Sequence, residues 1–447
     1  MRWIVRINEN ANTQILDIIQ KFIYMKYSFI LISFLFFIQK ADAQFSKFFE
    51  VKTLRIDYYH CGNASTEKFY FDKLVQEPFW GGSETNLIDS FGYGNQMLEV
   101  RTADSNQLIY SRGFSTLFDE WQTTPEAQTT DCCYPESVVM PFPREKVLVT
   151  IASRTKNGEF ENRLAYTVDP KSYFINKERE NLPVFDVVNS GDPATKVDIV
   201  LLPEGYTEKQ KDLFVADCRA FADHFFTYSP YSENKDKFNI RGVWAPSKDE
   251  GPDVPGKDIW NKTRLNGSYY TFDSERYLMI KDYQGVRDVA GNAPYDYIYI
   301  LANTDKYGGG AIYNFYGISA AHHVNETGKI YTHEFGHLFA GLADEYVGGV
   351  EYSDFYPAGV EPWEPNLTTL VNFDKKWKSM LPEGTPIPTP EKTGNAQKLG
   401  VYEGGGYVSK GVYRPWINCL MNNLHTIDVF CPVCSKSIQE MIDFNCK

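Results

Sequence analysis

The sequence predicts an α+β fold of two domains, on three observations. The 447 residues exceed one ordinary core and fit two domains of roughly 100–200 residues each plus a targeting segment. Residues 44–169 carry short Val-, Ile-, Tyr- and Phe-rich runs separated by Gly, Asn, Asp and Pro, which is typical of an all-β, sandwich-like domain. Residues 194–447 alternate strand and helix patterns, which indicates an α/β arrangement. The charged segment 170–193 is interpreted as a connector.

Residues 1–43 are interpreted as a leader that contains a signal peptide. The apolar run 29–38 is well below the ~20 residues that a membrane span needs. Met25-Lys26 supplies a basic start, and Ala41-Asp42-Ala43 supplies a small-x-small cleavage pattern before Gln44. We therefore expect translation to begin at Met25 and the protein to be exported to the periplasm or beyond the cell, without a permanent membrane span. An anchor that is never cut is the alternative.

Strands are expected wherever short apolar or aromatic runs end in turn-forming residues. The clearest runs are Phe69–Phe71, Met97–Arg101 and Lys146–Ile151 in the first domain, and Val197–Leu202, Phe238–Trp244 and Tyr295–Leu301 in the second.

A helix is expected directly after the strand at 197–202. Thr207 and Gln210 have the spacing of a capping box. Apolar residues then recur at spacings of four, three and four, which predicts a buried helical stripe of Phe214, Cys218, Phe221 and Phe225.

Charge and cysteine content limit the partners. The net charge of −13, with no Lys/Arg-rich segment, argues against nucleic acid or an anionic membrane surface as a binding partner.

Export makes disulfides plausible among the eight cysteines. Cys419, Cys431, Cys434 and Cys446 could instead hold a structural zinc, but their outer spacings are unusual, and disulfides or buried thiols are favoured.

The strongest chemical signal is the segment His333-Glu334-Phe335-Gly336-His337. Histidines at i and i+4 of a helix lie about 40° apart around its axis, so both imidazoles can bind one cation. An open zinc site needs three protein ligands plus water, and a neighbouring carboxylate can take the proton of that water. The motif therefore predicts His333 and His337 as zinc ligands and Glu334 as general base.

The surroundings of the motif support a helix that ends shortly after it. Gly341 is a natural helix stop, and Asp344 and Glu345 follow where the chain turns away, so either can be the third ligand. A second stripe at spacings of four, three and four predicts the buried face of that helix: Tyr331, Phe335, Leu338 and Leu342.

The segments 332–337 and 341–346 resemble peptidase family M64, the IgA-peptidase-type metallopeptidases, and are metzincin-like in general. Metzincins place a methionine in a tight turn beneath the metal, and the segment 419–423 resembles that turn, with Met421 as the floor. The interval from histidine to glycine is one residue longer than in the usual metzincin pattern. Asp344 is the preferred third ligand, with Glu345 as the alternative. Tyr346 is a weak substitute for the tyrosine that assists some metzincins.

The resemblance extends beyond the motif. The segment 198–207 resembles the opening strand and turn of the M64 catalytic domain, and residues 44–169 resemble the N-terminal domain of some members. The resemblance implies a metzincin-like zinc-peptidase domain at 194–447 that cleaves protein substrates, with immunoglobulin A as the family's emblem. None of these residues specifies that target. A glycoprotein- or glycan-binding protein with a vestigial peptidase domain, and a zinc amidase acting on cell-wall peptides, are the rival functions.

Two further segments are candidate sites. In a metzincin-like fold, Gly309, Gly310 and Ala311 would belong to an edge strand that pairs with substrate, since glycines permit close backbone approach. The acidic loop 249–253 could bind calcium through its carboxylates, although such loops are usually only solvated.

Overall fold

The computed structural model describes residues 44–323, 327–348, 350–351, 355–392, 394, 397–424 and 427–446. The leader, the signal peptide and the start at Met25 were predicted for residues that lie outside these ranges. Within the described ranges, no helix has both the length and the apolar character that crossing a bilayer requires.

The N-terminal domain is a sandwich of two four-stranded sheets. Its strands are β1 (Phe49–Asn63), β2 (Thr66–Glu77), β3 (Gln96–Thr102), β4 (Leu108–Phe114), β5 (Cys132–Pro143), β6 (Val147–Arg154), β7 (Phe160–Val168) and β8 (Ile175–Asn176). The sheet orders are β5-β1-β2-β8 and β4-β3-β6-β7. Leu54 and Ile56 of β1 share one core with Leu98 and Val100 of β3, so the two sheets pack face to face. Two of the strands predicted in this domain lie within β2 and β3, and the third, Lys146–Ile151, overlaps β6 from Val147 onward.

The C-terminal domain is built on a six-stranded mixed sheet. Its strands are β9 (Val184–Val188), β10 (Val197–Glu204), β11 (Phe238–Val243), β12 (Tyr297–Ala302), β13 (Gly309–Ala311) and β14 (Tyr316–Ala320). The order is β13-β14-β12-β10-β11-β9, with four parallel central strands and an antiparallel strand at each edge. In β10, Ile199 and Leu201 face one core, whereas Val200 and Leu202 face the other. Burial on both faces explains why the four consecutive residues Ile199–Leu202 of this strand are all apolar.

Helices cover both faces of this sheet. The helices are α1 (Leu117–Trp121), α2 (Lys211–Phe225), α3 (Tyr283–Ala290), α4 (Thr327–Ala340) and α5 (Pro432–Asn445). The stripe predicted on α2 is fully buried, together with Phe335 of α4, while Val286 of α3 lies in the opposite core. A small sheet with the order β15-β17-β16 completes the domain: β15 (Val350–Glu351), β16 (Tyr402–Gly405) and β17 (Val408–Arg414).

The segment 170–193, interpreted from sequence as a connector, contains two short strands. Its strand β8 pairs with β2 of the sandwich, and its strand β9 pairs antiparallel with β11 of the second sheet. Both strands are short, and Asp186 interrupts the apolar pattern of β9, so no clear period marks them. The C-terminal sheet therefore begins at Val184, within the predicted connector.

The N-terminal domain is also not purely β. Helix α1 lies between β4 and β5 and begins with a capping box formed by Thr116 and Asp119. Its five residues are too few to show a helical period in the sequence. Leu117, Phe118 and Trp121 are buried in the core that α3 shares, and the Leu117 amide donates to Tyr283 Oη at 2.7 Å. The two domains are thus joined through a common core.

Candidate metal centre

Helix α4 carries the two motif histidines on a face directed away from the core. Tyr331, Phe335 and Leu338 are buried among α2 and the sheet, which fixes the rotation of α4. The helix ends at Ala340, and Gly341 turns the chain with φ of +61°. Leu342 is buried, as predicted for the stripe, but lies beyond the helix end.

Two imidazoles and one carboxylate converge above α4. His333 Nε2 and His337 Nε2 are 3.1 Å apart, and Asp344 Oδ1 lies 3.2 Å from the first and 3.5 Å from the second. Ligand atoms held about 2.0–2.1 Å from a tetrahedral zinc are about 3.3 Å from one another. These three atoms therefore have the spacing that one zinc ion requires.

The hydrogen bonds of both histidines leave their ligand nitrogens available. His333 Nδ1 lies 3.1 Å from the carbonyl oxygen of Leu420, and His337 Nδ1 lies 2.5 Å from that of Leu342. Because a carbonyl oxygen only accepts, each Nδ1 carries the proton and each Nε2 presents its lone pair. Asp344 Oδ1 is buried and has no hydrogen-bond donor among the described residues. The three atoms thus fit a cation.

The electrostatics of the site also favour positive charge. Burial opposes ionisation of Asp344, but His337 and His333 outweigh it and hold the pKa of this carboxyl well below its usual range. Burial likewise lowers the pKa of His337, yet the Asp344 carboxylate raises it to a net value of about 9. A bound metal ion would supply that positive charge in place of a proton.

Glu334 lies beside the three atoms without joining them. Burial raises the pKa of its carboxyl, and His333 and His337 partly oppose that rise. Glu334 Oε1 is 3.2 Å from the point that a Cβ on Gly309 would occupy. The carboxylate therefore lies close to β13, and a side chain at Gly309 would crowd it.

The segment around Met421 contacts helix α4. Met421 is fully buried, and its Sδ lies 3.1 Å from the point that a Cβ on Gly336 would occupy. The neighbouring Leu420 supplies the carbonyl that orients His333. Met421 thus packs against α4 at Gly336, and its role as a methionine floor beneath a metal stays a prediction.

Glu345, the alternative third ligand, is not brought to the histidines. Its carboxylate is fully buried and accepts from Asn366 Nδ2 at 3.0 Å and from the Cys434 thiol at 3.3 Å. The carboxylate of the preceding residue, Asp344, instead lies 3.2 Å from His333 Nε2 and 3.5 Å from His337 Nε2. Asp344 therefore faces the histidines, and Glu345 faces the protein interior.

Tyr407 contacts the centre and was missed by the sequence analysis. Its hydroxyl donates to Asp344 Oδ2 at 2.7 Å, and the Gly406 amide donates to the Asp344 carbonyl at 2.9 Å. Residues 404–407 all have positive φ, which explains the run of three glycines. That run of glycines was the sequence feature that could have drawn attention to this turn. Tyr346, the tyrosine suggested from sequence, stacks beside Tyr407 with ring centroids 5.7 Å apart.

We expect Tyr407→Phe to weaken the affinity of His333, His337 and Asp344 for zinc about 10-fold, because outer partners of metal ligands contribute about 10–100-fold. Competition with a metal indicator measures this affinity. Tyr402→Phe is the matched control, since Tyr402 lies on the same small sheet and its hydroxyl donates to the Lys398 carbonyl. An unchanged affinity in Tyr407→Phe would show that the hydroxyl does not support Asp344.

The centre opens into a cleft of about 870 Å³ that both domains line. The N-terminal domain contributes Ser115, Thr116, Glu120, Thr123 and Thr124. Burial raises the pKa of Glu120 to about 7, although its hydrogen bond from the Tyr277 hydroxyl opposes that rise. No motif marks these residues, because only tertiary packing brings α1 to the cleft.

Strand β13, which contains Gly309, Gly310 and Ala311, forms one edge of the C-terminal sheet, and the pairing of substrate with it stays a prediction. It pairs antiparallel with β14, and its residues line the cleft. Gly309 also forms an isolated bridge with Tyr277. The edge that remains for another strand therefore begins beyond Gly309.

Two other carboxylate clusters are occupied by protein contacts. His60, Glu67 and Asp119 could hold a metal, but His60 already lies 2.9 Å from Glu67 and 3.2 Å from Glu136. In the loop 249–253, predicted as a calcium candidate, Asp249 and Asp253 accept from the backbone amides of Lys262 and Asn261. Calcium there stays a prediction.

Comparison with known families gives two matches. A model described as IgA Peptidase M64 matches residues 185–397 and 391–442, and a model described as Peptidase M64 N-terminus matches residues 44–165. A search of curated proteins finds no match.

Proposed function

Because the chain belongs to the IgA Peptidase M64 family, we propose that it is a metzincin-like, zinc-dependent endopeptidase that hydrolyses peptide bonds in protein substrates. The observation that carries this proposal is the convergence of His333 Nε2, His337 Nε2 and Asp344 Oδ1 at tetrahedral spacing. Three protein ligands with an open fourth side are typical of catalytic zinc sites.

Several groups of the chain have separate roles in the proposed hydrolysis. Zinc supplies Lewis-acid chemistry at such a site, acidifying water and polarising the substrate carbonyl. The Glu334 carboxylate accepts a proton from the attacking water and returns it to the leaving amine. The carbonyls of Leu420 and Leu342 hold the two imidazoles in the tautomer that binds metal.

The substrate proposal rests on the shape of the cleft. An extended peptide can add to an exposed sheet edge, and β13 is an edge strand that lines the same cleft as Glu334. Residues of α1 also line the cleft, so we assign part of substrate binding to the N-terminal domain. Immunoglobulin A, which the family's name mentions, is the first defined substrate to test.

We further propose that the protein is exported. Cys61 of β1 and Cys133 of β5 form a disulfide. Disulfides of this structural kind form in oxidising compartments and are rare in the cytosol.

Metal removal tests the proposal. Dialysis against a zinc chelator is expected to abolish cleavage of casein or immunoglobulin A, and one added equivalent of zinc at the emptied site should restore it. A serine-directed inhibitor provides the control and should leave the rate unchanged. Full activity after the catalytic metal has been removed would exclude the zinc mechanism.

A further inference from the structure

A second group of side chains that could hold a metal ion lies next to the candidate metal centre. The group consists of Glu345, Cys419, Cys431 and Cys434, whose ligand atoms all lie within 4.8 Å of one another. All four residues are buried, with exposed fractions of 1% or less. Cys446, which the sequence placed with these cysteines, lies elsewhere, with its sulfur 3.6 Å from the Lys237 carbonyl. We call the four residues the cysteine cluster.

The spacings in the cysteine cluster match those around a tetrahedral zinc. Cys419 Sγ and Cys434 Sγ are 3.8 Å apart, and Cys434 Sγ lies 3.3 Å from Glu345 Oε1. Two sulfurs about 2.3 Å from a tetrahedral zinc are about 3.8 Å apart, and a sulfur and a carboxylate oxygen are about 3.5 Å apart. These two distances therefore agree with one metal at the centre of the cluster.

The local backbone is arranged for negatively charged sulfur. Cys431 is the N-cap of α5, and Cys434 lies in its first turn, where the helix dipole stabilises thiolates. The Cys431 amide donates to Cys419 Sγ at 3.3 Å, and the Cys434 amide donates to Cys431 Sγ at 3.4 Å.

A disulfide would leave the cluster incomplete. A bond between any two sulfurs would leave a third sulfur and the Glu345 carboxylate buried together. Glu345 Oε2 is already buried without a hydrogen-bond partner among the described residues. A buried, unpartnered carboxylate oxygen is costly, and a bound cation removes that cost.

We propose that Glu345, Cys419, Cys431 and Cys434 bind a second, structural zinc ion. This site joins the elements that shape the catalytic centre: Glu345 follows the ligand Asp344, Cys419 precedes Leu420 and Met421, and the other two cysteines begin α5. The Glu345 amide donates to the Met421 carbonyl at 2.8 Å, so the zinc clamps two segments that already pair.

Zinc content and the identity of the zinc's neighbours test this proposal in the full-length protein. Wild type should contain two zinc ions, His333→Ala/His337→Ala one, and Cys434→Ser one. Cys446→Ser, a cysteine change at the other end of α5, should retain two. X-ray absorption of the zinc left in His333→Ala/His337→Ala should show sulfur neighbours at about 2.3 Å, a readout that does not depend on whether Cys434→Ser folds.

Three results would overturn the second site: no zinc in His333→Ala/His337→Ala, only nitrogen and oxygen neighbours in that variant, or a disulfide among the three cysteines in unreduced peptide maps. Failure of the catalytic zinc gives a different pattern. Wild type and His333→Ala/His337→Ala would then each contain one zinc bound to sulfur, which would contradict the proposed peptidase mechanism and support the cysteine cluster.

Discussion

Replacing Glu334 by glutamine is expected to lower kcat by about 10²–10⁴-fold, the contribution typical of general acid–base catalysis. Glutamine keeps the size of the side chain but cannot accept the proton of water. Because Glu334 is outside the set formed by His333, His337 and Asp344, zinc content should not change. Single-turnover cleavage of a fluorogenic peptide, together with elemental analysis, measures both quantities.

The matched control is Glu440→Gln, which removes an exposed carboxylate from α5. It should leave kcat and zinc content at wild-type values. A Glu334→Gln enzyme that retains its activity would remove this residue from the mechanism. A variant that loses zinc together with activity would instead make Glu334 a ligand or a support of the ligands.

The motif segment was predictable from the sequence because its chemistry is local. His333 and His337 stand one helical turn apart, and the burial of Tyr331, Phe335 and Leu338 fixes which way the helix faces. The family assignment was confirmed by a family model that matches residues 185–397 and 391–442.

Contacts between distant segments were not predictable. Tyr407 contacts Asp344 across 63 residues, and Glu120 reaches the cleft only because α1 packs into the core of the other domain. The cysteine cluster was predicted in part from the sequence, which grouped its three cysteines. Cys446 was wrongly added to them, and Glu345 was left out. Two adjacent acids cannot be assigned to different sites until the direction of each side chain is known.

Because Asp344 faces the histidines and Glu345 does not, replacing Asp344 should strongly reduce zinc binding at the histidines. Asp344→Ala is expected to weaken zinc binding at the histidines by more than about 100-fold, because loss of a ligand exceeds the 10–100-fold cost of losing an outer partner. Cleavage activity should fall with zinc occupancy. Competition with a chromophoric chelator measures the affinity, and circular dichroism checks that the fold is retained.

The comparison variants separate ligand loss from a general loss of acidic charge. Asp223→Ala removes an exposed aspartate from α2 and should change neither zinc affinity nor activity. Glu345→Gln should leave the histidines able to bind zinc, because its carboxylate faces Asn366 and Cys434 instead. If Glu345→Gln emptied the histidine site while Asp344→Ala left it filled, the third ligand would be Glu345. The side chains of Asp344 and Glu345 would then have to exchange the directions that they have in the structure.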